Sequence, residues 1–158
     1  PGNQENRFFR EAANGFRVMG TPGSMIIGVS MYGVGRGAKV GQAAPDFTVH
    51  YFENGLQTIS LADLKGKPTF ISVVPSLDTS VCKIQTKRFN DELASLQDKV
   101  NAVTISLDLP FAMNRFCGAE GVKNMKVGSD YQNRSFGQAF GDGSLSRSYN
   151  SSPLGNSG

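Results

Sequence analysis

Tryptophan is absent from this chain of 158 residues, histidine occurs once, as His50, and cysteine occurs only twice. One histidine and no closely spaced cysteine pair leave too few ligands for a zinc site, so no metal is expected. His50 lies in an alternating stretch, Phe47 to Phe52, and reads as a plain strand residue. Two cysteines do not make a disulfide framework; they fit a reducing compartment such as the bacterial cytoplasm, where thiols do chemistry. Charge of one sign is nowhere massed: 16 Lys and Arg against 13 Asp and Glu give a net charge of +3. That pattern describes a solvated surface rather than a nucleic-acid patch. A long apolar run is also missing. Val18 to Gly35 carries no charge, but Pro22 and the glycines at 20, 23, 28, 33 and 35 spoil it as a membrane helix and suit a hairpin. The polar opening, Pro1 to Arg7, is unlike a secretory leader. No phosphate loop, carboxylate dyad or Ser–His constellation supports the enzyme classes that use them, and no cofactor is expected.

Glycine is plentiful, with 19 residues gathered mostly toward the two ends, which puts the ordered core in the middle of a single domain. The reading divides the chain into an N-terminal extension and hairpin over 1–39, a central domain over 40–141, and a weakly ordered tail over 142–158. In the first part a short helix around Arg7 to Ala13 precedes two apolar stretches, Phe16–Met19 and Met25–Val29, split by Gly20-Thr21-Pro22-Gly23. A glycine-rich connector, Gly33 to Gly41, follows.

From Ala44 the pattern sharpens. Asp46 to Phe52 is a strand, Glu53-Asn54-Gly55 a turn, and Ser60 to Leu64 a short capped helical turn. Thr69 to Val74 is apolar and β-branched, as a central strand buried on both faces requires. A helix then runs from Cys82 to about Gln97, with Phe89, Leu93 and Leu96 on one face. Ala102 to Leu107 is the next strand, and Pro110 opens a helix carrying Cys117. A short strand at Lys126 to Asp130 and a helical piece at Ser135 to Phe140 complete the order. Strand alternating with helix implies βαβ units and a parallel sheet.

The two cysteines sit in different settings. Cys82 closes Pro75-Ser76-Leu77-Asp78-Thr79-Ser80-Val81-Cys82 and falls in the first turn of the inferred helix. There, unpaired backbone N–H groups and the helix dipole favour an anion, and a thiol is a nucleophile only as the anion. Thr79 can aim its hydroxyl at the sulfur or at a substrate, and Pro75 ends the strand and can shield the pocket. Cys117, 35 positions later, lies in Arg115-Phe116-Cys117-Gly118-Ala119-Glu120-Gly121 and lacks that activating setting. Arg115 either contacts a substrate or partner or is an exposed helix arginine. The chain reads as a thiol-redox protein.

Pro-x-x-x-Thr-x-x-Cys at 75–82 resembles the active-site signature of peroxiredoxins. Asp108-Leu109-Pro110-Phe111-Ala112, the Cys117 neighbourhood and Val40 to Phe47 resemble the bacterial thiol peroxidase subfamily, the atypical two-cysteine type. The match spans roughly 40–141. The resemblance implies a thioredoxin-like α/β fold with an N-terminal hairpin, a homodimer, and no membrane or nucleic-acid partner. It implies a peroxide-reducing Cys82 that becomes a sulfenic acid, a resolving Cys117 that captures it as a disulfide, and thioredoxin as reductant. The alternative is a redox sensor or binding module of the same fold that does not turn over.

The family continues past the equivalent of Gly141 with an arginine-bearing strand, another strand and a helix. Those C-terminal strands are missing or replaced here. Leu145 to Tyr149 makes Arg147 a candidate for the family's arginine, with a solvated tail residue as the competing reading. Without the later strands, one sheet edge is expected to expose apolar surface unless the tail covers it, a partner does, or the sequence is part of a longer chain.

Overall fold

The computed structural model describes residues 16–21, 24–30 and 44–140. The predicted helix at 7–13, the glycine-rich connector, the tail and Arg147 lie outside them. The elements are β1 (Phe16–Thr21), β2 (Ser24–Ser30), β3 (Thr48–Phe52), β4 (Leu56–Ser60), β5 (Thr69–Val73), α1 (Ser80–Glu92), β6 (Asn101–Ser106), α2 (Pro110–Glu120), β7 (Lys126–Ser129) and α3 (Ser135–Phe140). Short 3₁₀ turns occupy Leu61–Leu64 and Leu93–Ser95.

All seven strands join one sheet in the order β1-β2-β5-β6-β7-β3-β4. Its centre is parallel: β5 pairs with β6 through Ile71↔Val103, and β6 with β7 through Ile105↔Gly128. Strand β3 runs antiparallel to β7 and β4. The βαβ order in the sequence therefore gave the right sheet, since a helical crossover returns the chain to a parallel neighbour.

The expected hairpin forms, with β1 antiparallel to β2 in the register Val18↔Ile27. Its place is the unexpected part. Strand β2 lies parallel to β5 through Ile27↔Phe70 and Gly28↔Ile71. The N-terminal hairpin thus lies beside β5, and β1 takes over as that edge of the sheet.

Strand β5 is buried at all five positions, as a central strand must be. Its residues alternate between two cores. Ile71 and Val73 join Phe47, Val49, Val103, Ile105, Phe136 and Phe140 on the face covered by α3. Phe70 and the following Val74 join Leu77, Cys82, Leu93, Met113 and Val127 on the face covered by α1 and α2. Phe47 meets Phe136 edge to face at 5.1 Å between ring centroids. Strands β3 and β7 approach so closely that a Cβ on Gly128 would lie 2.6 Å from Val49 Cγ2, so glycine is required there.

Two local expectations need adjusting. The helix after Cys82 ends at Glu92, not near Gln97, and tightens into the Leu93–Ser95 3₁₀ turn, which still buries Leu93. Strand β4 went unread because Leu56-Gln57-Thr58 is exposed on both faces and only Ile59 is buried, leaving a weak apolar alternation. The capped turn at Ser60 to Leu64 is present: the Ser60 N–H donates to Asp63 Oδ2 at 2.9 Å.

Candidate active site

The segment leading to Cys82 leaves β5 at the C-terminal end of the parallel strands. The Val74 N–H still bonds the Ile105 carbonyl at 3.0 Å, and the half-buried Pro75 then turns the chain out of the sheet. Thr79 is the N-cap of α1, with extended φ/ψ of −78° and 139°. The first intrahelical bond runs from the Lys83 N–H to the Thr79 carbonyl at 3.0 Å. Cys82 is therefore the third helical residue, within the turn whose amides have no acceptor inside the helix.

The hydroxyl of Thr79 does not cap those amides; it donates to the Ser76 carbonyl at 3.1 Å. The Thr79 N–H points to the same carbonyl at 3.4 Å. The loop is thus folded back on Ser76, and the Thr79 side chain is exposed. Cys82 itself is fully buried, at 0% exposure, and packs into the core under α1 and α2.

Cys117 is the eighth of eleven residues in α2, a helix opened by Pro110 at its first turn and closed by Gly121 in the left-handed conformation (φ 69°). Its carbonyl accepts the closing bonds from the Gly121 and Val122 N–H groups, the latter at 3.0 Å. Burial pushes the Cys117 thiol up to about 11 from its ordinary value of 9.0. Partly buried, it packs against the same apolar cluster as Cys82, together with Phe116. The structure thus brings the two cysteines to one core. Both thiols are free.

Cys117 also lines a cavity of about 510 Å³ between α2 and the sheet, floored by Val100, Met113 and Met125 and rimmed by Asn114, Lys123 and Lys126. Cys82 is not part of its wall. Arg115 is exposed on α2. His50 is buried in β3 with its ring edge-on to Tyr131 at 5.7 Å, as a strand residue. Among the described residues no cluster of potential ligands could hold a metal, and no helix is long and apolar enough to cross a membrane.

Three polar links tie the cysteine-bearing helices together, and sequence reasoning did not foresee them. Glu120, at the end of α2, pairs with Lys83 at 2.5 Å and Lys87 at 3.5 Å, both on α1. Hydrogen bonding from Lys83 leads the causes that hold the Glu120 carboxyl below the usual range. Asn90, buried near the end of α1, takes the Lys123 and Asn124 N–H groups on Oδ1 at 2.9 and 2.8 Å, just after α2. Asp108 accepts from Ser76 Oγ at 2.8 Å and from the Leu77 N–H at 2.7 Å, binding the Cys82 loop to the segment that starts α2. Asp108 was visible only as part of a family motif, and Asn90 as one polar residue on a helix. Neither carries a spacing signal, because its partners lie about 31 to 34 residues away.

Comparison with known proteins identifies the family. The family model described as Redoxin matches residues 39–150. A thiol peroxidase of Bacillus subtilis (strain 168) is 57% identical over 108 residues, 68% of this chain and 63% of the relative. A thiol peroxidase of Halalkalibacterium halodurans is 49% identical over the same length and coverage. The chain spans about 63% of the length of these curated relatives. Among solved structures, a peroxiredoxin-like protein from Aquifex aeolicus superposes with a TM-score of 0.60 at 38% identity, over 68% of this chain and 61% of that one. A thiol peroxidase from Chromobacterium violaceum shares the fold, with a TM-score of 0.58 at 17% identity over 81% and 69% of the two chains. With more than two thirds of its length matched by the family model, this chain belongs to the Redoxin family.

Proposed function

We propose that the protein is a thiol-dependent peroxidase that reduces hydrogen peroxide and organic hydroperoxides through Cys82, with Cys117 as the resolving cysteine. The observation that carries this reading is the position of Cys82 in the first turn of α1, packed into the same apolar cluster as Cys117. Its Redoxin membership and its thiol peroxidase relatives support it. Residues 40–141 form the catalytic unit in this reading.

In the first step the Cys82 thiolate attacks one peroxide oxygen and the O–O bond breaks. The departing oxygen leaves as an alkoxide or hydroxide and takes up a proton, giving an alcohol or water. Open amides of the first α1 turn stabilise the sulfur anion and the developing charge, a larger effect than binding the substrate alone. Pro75 limits water at the loop. Thr79 joins once its hydroxyl leaves the Ser76 carbonyl for the peroxide. Cys82 is then a sulfenic acid.

In the second step Cys117 loses its proton and attacks the Cys82 sulfur, the sulfenic oxygen departs as water, and a disulfide forms. At rest, burial holds Cys117 protonated with a value of about 11. It becomes a nucleophile when the end of α2 opens, and that opening also brings the two Cα atoms within the ~7 Å a disulfide allows. A dithiol reductant of the thioredoxin type returns both cysteines to thiols. Arg115 and Arg147 are the candidate arginines for contact with the peroxide or its reductant. Two free cysteines fit the reducing bacterial cytoplasm. Exposed Ile84, Leu109 and Phe111, on or beside the cysteine helices, supply apolar surface for a second copy in a homodimer.

The test is the intact mass of the protein after one equivalent of peroxide. Loss of two hydrogens, with Cys82 and Cys117 peptides cross-linked, supports the reading; an unmodified chain refutes it. A disulfide that forms without steady-state turnover on adding a thioredoxin-type dithiol identifies a redox sensor instead.

A further inference from the structure

The mechanism leaves one polar group unused, although it sits between the two cysteine-bearing segments. Both carboxylate oxygens of Asp108 are occupied. Oδ1 accepts from Ser76 Oγ at 2.8 Å, and Oδ2 accepts from the Leu77 N–H at 2.7 Å and from Ser106 Oγ at 2.8 Å. Its N–H returns a bond to Ser106 Oγ at 3.1 Å, and its carbonyl accepts from Ser129 Oγ. The residue is thus fixed to the ends of β6 and β7 before it reaches the loop.

From Asp108 the contacts run directly to the start of α1. Ser76 Oγ, while donating to Asp108, accepts the Asp78 N–H at 3.2 Å. The Ser76 carbonyl receives both the hydroxyl and the N–H of Thr79, the N-cap. Leu77, whose N–H Asp108 holds, is 2% exposed and packs in the same cluster as Cys82. Hydrogen bonds to an ionised carboxylate are shorter and roughly twice as strong as neutral ones. One carboxylate anchored on the rigid sheet therefore sets where the helix begins.

Resting on the peroxidase reading, we propose that Asp108 is a positioning residue for the reaction at Cys82: its carboxylate clamps Ser76 and Leu77 and so holds the first turn of α1 in register with the peroxide. Asp108 does not touch the reacting atoms. Its effect passes through the loop, where a misplacement of about 1 Å can cost roughly 100-fold in rate.

The experiment compares Asp108→Ala, Asp108→Asn and Ser76→Ala with the unaltered chain by stopped-flow single turnover with hydrogen peroxide. Asp108→Ala is expected to slow oxidation of Cys82 by about 10- to 100-fold. Asp108→Asn keeps one oxygen for the Leu77 N–H, and the Ser76 hydroxyl can turn to accept its amide, so it restores most of the rate. Ser76→Ala loses less than Asp108→Ala, and the two losses combined fall short of their sum, as a shared contact requires. Reduction of the preformed disulfide by dithiothreitol stays unchanged, whereas general loosening of the structure moves both rates. A folded Asp108→Ala protein oxidised at the unaltered rate overturns the proposal. Should that variant fail to fold, an unaltered rate in Ser76→Ala overturns it. If the unaltered chain does not react with peroxide, the peroxidase reading fails separately. Iodoacetamide labelling of Cys82 in a Cys117→Ser background then decides: several-fold slower labelling with Asp108→Ala supports the clamp, and an identical rate overturns it.

Discussion

The surroundings of Cys82 and Cys117 share a core but differ in the helix end that each sulfur meets. Cys82 stands in the first turn of α1, where amide hydrogens point outward and the backbone dipole presents its positive end. Cys117 stands in the last full turn of α2, where carbonyls gather and the dipole presents its negative end. Both pack into one apolar cluster, Cys82 fully buried and Cys117 partly, so burial does not favour an anion at Cys82. The helix end does, and it places the anion-favouring environment at Cys82. The polar links between α1 and α2 then hold the two regions together.

The strongest way to break this comparison is to remove one sulfur at a time. Cys82→Ser is expected to lower peroxide consumption by about a thousandfold or more, as loss of a nucleophile does; substantial remaining activity in a peroxide-electrode assay would show that Cys82 is not the attacking group. Cys117→Ser should oxidise once and then stall with a thioredoxin-type dithiol. Its mass after one equivalent of peroxide should show one added oxygen and no cross-link.

Asn90→Ala tests whether the link between α1 and the end of α2 holds both cysteines in place. It leaves the Lys123 and Asn124 N–H groups without their acceptor, so a loss of about 2 to 3 kcal/mol in urea unfolding is expected. Disulfide formation should quicken relative to oxidation of Cys82, because α2 then opens more easily. An unchanged ratio of the two rates would remove this link from the mechanism.

The smallest expected effect is a pH dependence. In a Cys82→Ser background, alkylation of native Cys117 should rise with pH toward about 11, where the buried thiol ionises. The linked stability has a definite sign. The native thiol keeps its proton more tightly than the unfolded one, so this contribution is complete below pH 9.0 and is lost as the pH climbs through about 11. A midpoint near 9.0 in the folded protein would mean that Cys117 is not buried in solution.

The sheet's parallel centre was legible because Thr69 to Val74 and Ala102 to Leu107 are apolar runs separated by a helix-length segment. A candidate site could be proposed from the sequence because Pro75, Thr79 and Cys82 sit close together in the chain. Strand β4 was not, since Leu56, Gln57 and Thr58 face solvent and burial is what writes a strand into a sequence. Nor were Asp108 and Asn90, whose side chains act across about 31 to 34 residues. Thr79 was singled out in the sequence, yet only the folded structure shows its hydroxyl turned to Ser76.

By itself, then, the sequence determined the order of elements apart from β4, the central strands and a helix start close to Cys82. Each follows from neighbours a few positions apart, through periodicity, capping and turn chemistry. Tertiary structure alone decided that the N-terminal hairpin flanks β5, that both cysteines enter one core, and that Asp108 clamps the loop. Those outcomes depend on contacts between distant segments, and such contacts exist only once the sheet has brought the segments together.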